Sequence, residues 1–399
     1  MGRMARFVLT FSVLLFLPFT AFGQAPRPPI KIGHLSTYSG VSAGPGQNLT
    51  RGLELYLAKI GNKAGGRELQ LLKEDDEFKP DVGLLKARKL VERDRVDVLV
   101  GPVSSGVALA IRDFVHGQGI PQIVPVAFTR DLTAPAMASP WILRIIETSD
   151  QSNFNLGTWV FKSTPYRKVA VMGADYAAGR HASGAFMAAF KAAGGEIVKE
   201  IYPPLGTPDF APYVAQLGGL TADAVYAFIV GADAIRFVKT YQDYGLRGKL
   251  PIFTHLAMVD DDTLAAMGDS ALGIVAVANY TATLDTPENR TFVKDYEARY
   301  NTWPHFVAEG GYVAGQLVGA AIEALKGEVS DRAKLRDALK NAATQIRPPR
   351  GPIQFDRYQQ VITSVYITRV ERQGNRLVNA IVDRIPNTSQ EETWKWWNK

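Results

Sequence analysis

The sequence predicts an α/β protein made of two doubly wound, Rossmann-like lobes. Short runs rich in Val, Ile and Leu alternate with segments whose apolar residues recur at helical spacing, and this alternation occurs twice along the 399 residues. Alternating strands and helices indicate parallel sheets with right-handed crossovers. Because each series has about the size of one domain, we expect two lobes.

The first series predicts four strands and the helices between them. The strands are expected over residues 30–35, 68–74, 96–101 and 121–124, and the helices over 47–62, over 105–117 and from Pro80 onward. Pro80 suits a first helical turn, where the missing N–H costs no hydrogen bond.

The second series follows residue 146 and ends in an antiparallel hairpin. Strands are expected over 168–172, 196–202, 223–228 and 250–254, an apolar segment over 271–278, and helices over 150–162, 179–193, 210–217, 232–244, 287–300, 307–326 and 331–341. The last two strands, 361–370 and 376–383, flank Gln373-Gly374-Asn375, a sequence typical of a hairpin turn.

Composition and motifs exclude several classes of function. Lys and Arg total 45 against 39 acidic residues, a net charge of +6 without a basic cluster, so we expect no nucleic-acid partner. Cysteine is absent, which excludes disulfides, thiolate metal sites, cysteine nucleophiles and a cysteine-linked lipid anchor. The five histidines are dispersed, and none of the patterns GxSxG, GxxxxGK(S/T) and GxGxxG follows a strand. The sequence therefore predicts no metal, no cofactor and no enzymatic activity.

The first 23 residues form a predicted export signal. Arg3 and Arg6 precede an apolar run over 7–22, and Ala21-Phe22-Gly23 places small residues where a signal peptidase recognises them. A transmembrane anchor is the alternative, but the run is short for one and contains Pro18. We therefore expect a periplasmic protein that is neither lipidated nor embedded in the membrane.

Six loops are candidates for a binding site, because ligands of doubly wound sheets bind beyond the carboxyl ends of the strands. They follow residues 35, 101, 124, 172, 228 and 254. After Gly101, Ser104 and Ser105 stand at the start of a helix, where hydroxyls, unpaired N–H groups and the helix dipole favour an anion. The pair indicates a cradle for a carboxylate, and a plain helix cap without a ligand is the alternative.

Side chains at three other strand ends have two interpretations each. Phe128 could form a pocket wall or pack beneath its loop, and Tyr176 could stack on a ligand or lie half-buried at the surface. His255 could donate to a ligand or be a core histidine. The acidic run 74–77 lacks the spacing of a calcium loop, so we expect it to be solvated.

Several segments together resemble a type I periplasmic solute-binding protein of an ABC importer, and most closely the leucine/isoleucine/valine-binding family. They follow one another along nearly the whole chain after residue 29: IKIGHLSTYSG (30–40), NKAGGRELQLLKEDDEFKPD (62–81), VDVLVGPVSSGVALAI (96–111), IPQIVPVAFTRDLT (120–133), KVAVMGADYAAGR (168–180) and DTPENRTFVKDYEARYNTWP (285–304). The resemblance implies Venus-flytrap lobes joined by three crossover segments, a ligand in the cleft between them, and delivery to the membrane subunits of an ABC permease. We expect a monomer.

The resemblance also implies how the chain divides. The expected parts are an N-terminal lobe (27–145 plus 278–352), a C-terminal lobe (146–277 plus 353–386) and a tail (387–399). The tail carries Trp394, Trp396 and Trp397, which we expect to pack onto a lobe, with an interface as the alternative.

Residue by residue, the family's carboxylate-binding serine falls on Ser105, with Ser104 beside it. The family's loop that holds the ligand's amino group, through a backbone carbonyl and a Thr, falls on Val126, Ala127 and Phe128. Phe128 takes the position of the Thr, and Thr129 comes one place late.

On the second lobe, the family's Tyr falls on Ala178, for which Tyr176 is the expected substitute. Ile229, after the strand that ends at residue 228, completes the predicted binding set together with His255. The acidic partner of the ligand's ammonium group should lie within 255–259, where there is no acid. Asp260, Asp261 and Asp262 lie too far along the chain for this position, unless a gap in the comparison brings one of them to it.

These differences from the family's binding residues affect which ligand we expect. A buried ammonium group needs a paired charge or several acceptors, whereas the anion cradle is intact. We therefore expect a small hydrophobic carboxylate, such as an aromatic acid, that does not depend on an α-ammonium group. A branched-chain amino acid is the alternative within the family, and a soluble periplasmic sensor for a receptor is a second alternative.

Overall fold

A computed structural model of the protein describes residues 1–2 and 27–397. The predicted export signal lies outside the described residues, apart from Met1 and Gly2. No helix in the described part of the chain is both long enough and apolar enough to span a bilayer.

The first lobe is built on a six-stranded sheet. Its strands are β1 (Ile30–Ser36), β2 (Lys63–Ala64), β3 (Arg67–Asp75), β4 (Val98–Val100), β5 (Gln122–Val124) and β6 (Ile142–Arg144). They lie in the order β2-β3-β1-β4-β5-β6, and all neighbours are parallel except the β2–β3 pair.

The second lobe is built on an eight-stranded sheet. Its strands are β7 (Lys168–Gly173), β8 (Glu196–Ile201), β9 (Ala224–Phe228), β10 (Ile252–His255), β11 (Val275–Ala278), β12 (Gln354–Phe355), β13 (Val361–Gln373) and β14 (Arg376–Thr388). The order is β12-β13-β11-β10-β9-β7-β8, and β14 pairs with β13. Strands β7 to β11 are mutually parallel, whereas β12, β13 and β14 pair antiparallel.

Helices cover both sheets. They are α1 (Ala43–Lys59), α2 (Pro80–Arg88), α3 (Ser105–Gln118), α4 (Ser149–Ser163), α5 (Ala177–Ala192), α6 (Ala211–Gly218), α7 (Gly231–Asp243), α8 (Asp261–Met267), α9 (Pro287–Tyr300), α10 (Phe306–Ala324), α11 (Arg332–Ala342) and α12 (Gln390–Trp397). Because successive strand residues face opposite sides, Val98 and Val100 join a core with α1, α10 and α11, while Leu99 joins a core with α2 and α3.

The chain passes between the lobes three times. It leaves the first sheet after β6, returns after β11 to place α10 and α11 on the core of the first sheet, and then crosses again to supply β13. Two lobes with parallel, doubly wound sheets are the fold that the sequence predicts.

The predicted order of strands and helices is confirmed, and the differences lie at short or terminal elements. The strands β2, β6 and β12, of two or three residues each, and the helices α8 and α12 were not predicted, since short elements carry little periodicity. The predicted tail boundary at 386/387 is wrong, because β14 continues to Thr388, which pairs with Thr363. In the tail, the Trp394 ring packs on Tyr358 with centroids 5.0 Å apart. The other lobe boundaries stay predictions.

Candidate functional site

In both sheets the strand order reverses beside the first strand of the series. The order β3-β1-β4-β5-β6 in the first lobe is repeated as β8-β7-β9-β10-β11 in the second. In doubly wound sheets, ligands bind at this reversal, beyond the carboxyl ends of the flanking strands. The topology therefore places a site among the loops after β1, β4, β7 and β9, where the two lobes face each other.

A cavity of about 60 Å³ lies at this place, with room for more than one water molecule. The first lobe lines it with Ser42, Pro45, Phe78, Val103, Ser105, Val126, Phe128, Phe306 and Val307, and the second with Tyr176, Val230, Gly231, Ala257 and Asp260. Ser105, Phe128 and Asp260 are only 4, 7 and 6% exposed. The lobes are therefore closed over the cavity, and a ligand of the size of a ring can enter only when they separate.

The N-terminal ends of six helices surround the cavity. Each end contributes residues from its cap or first turn: Ser42 and Pro45 of α1, Ser105 of α3, Tyr176 of α5, Val230 and Gly231 of α7, Asp260 of α8, and Phe306 and Val307 of α10. The first N–H groups of a helix have no partner within it, and the helix dipole is positive at this end. The surroundings therefore favour a negatively charged ligand.

The two neighbouring serines have different roles. Ser104 is the N-cap of α3, and its hydroxyl oxygen accepts the Val107 N–H at 3.3 Å. Ser105 lines the cavity, and its hydroxyl oxygen accepts the Thr129 N–H at 3.2 Å. A hydroxyl that accepts one bond still has its own proton to donate. The cap interpretation thus holds for Ser104, while Ser105 has the position expected for a carboxylate donor.

Arg144 holds the loop that carries Phe128. This fully buried guanidinium donates to the carbonyl oxygens of Ala127 and Thr129 and to the side chains of Gln360 and Thr133. Burial lowers its pKa to about 9, against the opposing effect of Asp150, so Arg144 stays charged at neutral pH. Nearby carboxylates, among them Asp150 and Asp356, offset this charge, so the role of Arg144 is to fix the loop.

Phe128 lines the cavity and also packs against His255. The two rings meet edge to face with centroids 4.8 Å apart, and the Phe306 ring lies 5.9 Å from Phe128. His255 accepts the Ala257 N–H through Nδ1 at 3.1 Å, so its proton is on Nε2, which donates to Glu147 at 3.1 Å. His255 is therefore a core histidine behind the wall, and the ligand-donor interpretation does not fit it.

The second lobe presents two polar side chains to the cavity. Tyr176 forms no side-chain cap on α5, and burial raises the pKa of its phenol, so the hydroxyl remains a donor at neutral pH. Asp260 caps α8, and its Oδ1 accepts the Thr263 N–H at 3.0 Å and the Thr263 hydroxyl at 3.2 Å. Of the acids at 260–262, which the sequence comparison places too late unless a gap intervenes, Asp260 lines the cavity, because the turn over Leu256–Met258 folds the chain back toward it.

The structure therefore separates the predicted binding residues into two sets. Ser105, Val126, Phe128 and Tyr176 lie on the cavity wall. A second set lies buried behind or beside the wall: Ser104, Ala127, Thr129, Ala178, Ile229 and His255. Ala178 belongs to the second lobe's core, so Tyr176 is the tyrosine on this side of the cavity.

Sequence reasoning missed most of the remaining wall. Ser42, Val230 and Asp260 follow strand ends that were already candidates, so finer inspection of those loops could have found them. Phe78 follows the edge-side strand β3, and Phe306 begins a helix that follows no strand. Nothing local in the sequence marks these two aromatic residues as neighbours of Ser105.

The acidic run 74–77, which begins at the end of β3, is not solvated throughout, whereas the sequence predicts a solvated loop. Glu74 pairs with Lys86 at 2.8 Å and with Lys89, whereas Asp76 is fully buried and accepts the Thr37 hydroxyl at 2.6 Å and the Phe78 N–H at 2.9 Å. Burial raises the pKa of Asp76. The run thus shapes the loop that brings Phe78 to the cavity. Within the described residues, no group of His, Asp and Glu side chains could hold a metal ion.

Contacts across the cleft connect the binding loop to α4 and α5. Thr129 Oγ1 lies 3.3 Å from His181 Nδ1, and His181 Nε2 lies 3.7 Å from Asp131. Arg130 Nη1 lies 3.6 Å from Asp150, whose pKa burial raises to about 7. Because Thr129 also donates to Ser105, the cavity wall and the closure contacts share one loop.

Two doubly wound lobes with three crossings and a closed, anion-favouring cavity between them define a bilobal solute-binding protein. The chain belongs to the periplasmic binding protein family, whose model matches residues 29–375. Within it, the protein is of the Leu/Ile/Val-binding kind, a substrate-binding component of ABC importers. The Leu/Ile/Val-binding protein homolog 6 of Brucella melitensis biotype 1 is 30% identical over 349 residues, covering 86% of this chain and 88% of that protein.

Solved structures show the same similarity. A solute-binding protein of an ABC transporter from R. palustris, in complex with benzoate, is 34% identical with a TM-score of 0.84, covering 90% of this chain and 97% of that one. A solute-binding protein from Rhodopseudomonas palustris BisB5, in complex with 3,4-dihydroxybenzoic acid, is 31% identical with a TM-score of 0.84, covering 90% and 98%.

Proposed function

We propose that this protein captures a small aromatic carboxylate in the cavity between its lobes and delivers it to the membrane subunits of an ABC permease. One observation carries the proposal. Ser105 and the N-terminal ends of helices from both lobes surround a cavity whose wall is otherwise largely apolar and aromatic. This combination matches a ligand with one negative charge on a flat apolar body.

The hydrogen-bond donors around the cavity favour an acidic ligand. A carboxylate in a closed cavity needs charge-assisted hydrogen bonds to replace its water. The Ser105 hydroxyl and the first-turn N–H groups of α3 meet this need. The rings of Phe78, Phe128 and Phe306 offer the ligand apolar contact area on the first lobe. The relatives that bind benzoate and dihydroxybenzoate are consistent with this chemistry.

A branched-chain amino acid is the second candidate, and Asp260 is the observation that favours it. A carboxylate on the cavity wall could pair with an α-ammonium group. The Leu/Ile/Val-binding relatives point in the same direction. Against this candidate, Phe128 replaces the hydroxyl side chain that the resemblance leads us to expect beside the amino group.

The proposal includes transport without chemical conversion. We propose that residues 1–23 direct export and are removed, that the mature protein acts as a monomer in the periplasm, and that the closed form is what the permease recognises. The intact mass of the protein recovered from the periplasm would show whether cleavage follows Gly23. Recovery of the bound ligand unchanged after prolonged incubation would support a purely binding role.

Thermal unfolding in the presence of candidate ligands tests the function. A ligand at 100 times its Kd stabilises the folded state by about 2.7 kcal/mol. We expect benzoate or hydroxycinnamates to raise the Tm by several degrees, and leucine, isoleucine and valine to leave it unchanged. Stabilisation by leucine alone would refute the aromatic version and support the second candidate.

A further inference from the structure

We infer that the C-terminal helix α12 positions the binding loop, residues 126–129, through Gln390. This residue does not line the cavity, so it acts through Thr133 and Arg144 and is a positioning residue rather than a ligand contact. The consequence for affinity rests on the proposed function, because it requires a ligand held against the loop, whereas the position of the loop itself does not. The inference gives the tryptophan-rich tail a role beyond packing onto a lobe.

Helix α12 is fastened where the two lobes join. Its Trp394 ring packs on Tyr358 with centroids 5.0 Å apart, and the helix lies against α4 of the second lobe. At its start, Gln390 is fully buried, and its Nε2 donates to the Asp356 carboxylate at 2.7 Å and to the Thr133 carbonyl oxygen at 3.3 Å. The helix therefore contacts the second lobe, the turn between β12 and β13, and a first-lobe residue close to the binding loop.

The Thr133 hydroxyl connects Gln390 to Arg144. Thr133 Oγ1 accepts an N–H of Arg144, so the hydroxyl must donate its own proton to another acceptor. Gln390 Oε1 lies 3.0 Å from Thr133 Oγ1. Gln360 Oε1 lies 3.1 Å away, but it already accepts the Nε–H of Arg144. Gln390 thus supplies the acceptor that Arg144 does not engage, and it orients the hydroxyl toward the guanidinium.

Arg144 transmits this orientation to the binding loop. The N–H donors of a guanidinium form a rigid planar fork, so the bond from Nη2 to Thr133 also fixes the direction of Nη1. Nη1 donates to the carbonyl oxygens of Ala127, at 3.4 Å, and of Thr129. These two residues flank Phe128, which lines the cavity. A change at the Thr133 end of the fork therefore loosens the peptide groups that hold Phe128 in the wall.

The whole network lies in the interior of the protein. The side chains of Gln390, Thr133, Arg144 and Gln360 are at most 1% exposed. An alanine at position 390 would leave both the Thr133 hydroxyl and the Asp356 carboxylate with one partner fewer, in a region that solvent does not reach in the wild-type protein. We therefore expect a measurable effect at the loop, although Gln390 does not contact it.

Hydrogen–deuterium exchange of the full chain without ligand tests the position of the loop. In Gln390→Ala, amides of residues 126–133 should exchange at least about threefold faster than in the wild-type protein, because the loop opens more readily. Amides of β7 and β9, in the core of the second lobe, should keep their wild-type rates. Glu392→Ala, at an exposed position of the same helix, is the matched control and should change neither rate.

Calorimetric titration with benzoate tests the consequence for affinity. Gln390→Ala should raise the Kd about three- to tenfold, the usual effect of one neutral hydrogen bond. Thr133→Val removes the hydroxyl at nearly constant volume and should raise the Kd at least as much. In the Thr133→Val background, Gln390→Ala should raise it by less than a further factor of about two, because the path to Arg144 is already broken.

Faster exchange confined to residues 354–360 and 388–397 in Gln390→Ala would overturn the inference, since α12 would then stabilise only its own contacts. Effects on the Kd that multiply in the double variant would also overturn it, because Gln390 would then act independently of Thr133. A faster-exchanging loop with an unchanged Kd would contradict the link to binding. If the wild-type protein bound no benzoate, the proposed function would fail, and the exchange of residues 126–133 would by itself decide whether Gln390 positions the loop.

Discussion

In this protein, some side chains stabilise the fold, whereas their neighbours face the ligand. Ser104 and Ser105 are adjacent and chemically identical, yet the first caps α3 while the second lines the cavity. The difference comes from the geometry of a helix start, where the cap side chain turns back to the N–H groups and the next side chain leaves the axis. Stability and affinity should therefore respond separately to the two residues.

Ser105→Ala should weaken benzoate binding by about 1.5–3 kcal/mol, the usual loss for one hydrogen bond to a charged group. Ser104→Ala should leave the Kd within about twofold and lower the free energy of unfolding by about 1 kcal/mol, through loss of the helix cap. Calorimetry and urea unfolding of both variants measure these effects. Equal effects of the two substitutions on affinity would contradict the assignment.

His34 shows how one buried ring makes the fold sensitive to pH. Its Nδ1–H donates to the Val100 carbonyl at 3.1 Å, and Nε2 lies 2.9 Å from the Thr50 hydroxyl. Burial lowers its pKa from 6.5 to about 4. Between these values the unfolded chain binds the proton and the folded chain does not, so the folded state loses stability as the pH falls.

Replacing the ring should reduce this pH dependence. From pH 7 to pH 4, His34 should contribute a loss of up to about 3 kcal/mol in the free energy of unfolding. Urea unfolding of His34→Gln should show a correspondingly smaller loss over this range, although the variant is less stable at pH 7. His116→Gln, at an exposed position, is the control. An unchanged slope in His34→Gln would show that His34 does not titrate as its burial indicates.

At the scale of elements, the crossing of α1 and α10 sets the first-lobe side of the cavity. The two helices approach so closely that a Cβ on Gly52 would lie 1.8 Å from the Ala308 carbonyl oxygen, and one on Gly311 would lie 2.1 Å from that of Leu49. Both helices begin at the cavity wall, with Pro45 in α1 and Phe306 in α10. Their close packing therefore fixes where these N-terminal ends lie.

Gly52→Ala should destabilise the protein by about 1–3 kcal/mol, because the helices must separate to accept the methyl group. Gly44→Ala is the matched control on the same helix, since no atom lies within 4 Å of its Cβ position. That change should be neutral or stabilising by up to about 1 kcal/mol. Chemical unfolding of both variants measures the difference, and similar effects would argue against the tight crossing.

The sequence predicts helices and strands well where their apolar residues recur periodically. It predicts cavity residues well where they directly follow a predicted strand. Val98, Leu99 and Val100 alternate between two cores as a buried strand should, so the sheet and the loop that carries Ser105 follow from local pattern. Phe306 reaches the cavity only because α10 returns from the second lobe, and Asp260 only because a short turn precedes α8. Such placements depend on tertiary packing and leave no periodic signal.

At the scale of the whole molecule, the closed cavity requires motion. The wall residues Ser105 and Asp260 come from different lobes and are almost fully buried, so the ligand must enter an open form and the closed form must retain it. A ligand that contacts both lobes favours closure by its differential affinity for the closed state. The closure contact between Asp131 and His181, 3.7 Å apart, offers a place to observe this equilibrium.

The chain has no cysteine, so two introduced thiols are the only ones present. In Asp131→Cys/His181→Cys, benzoate should increase the rate at which a short bismaleimide joins the thiols, because bound ligand increases the closed population. Once joined, the protein should release ligand more slowly than before cross-linking. Asp331→Cys/Lys334→Cys, a pair 3.7 Å apart on one exposed face of the first lobe, should react at a rate that benzoate does not change. A ligand-independent rate in the interlobe pair would mean that the lobes do not open and close around the ligand, and the retention mechanism would then have to lie in the loops alone.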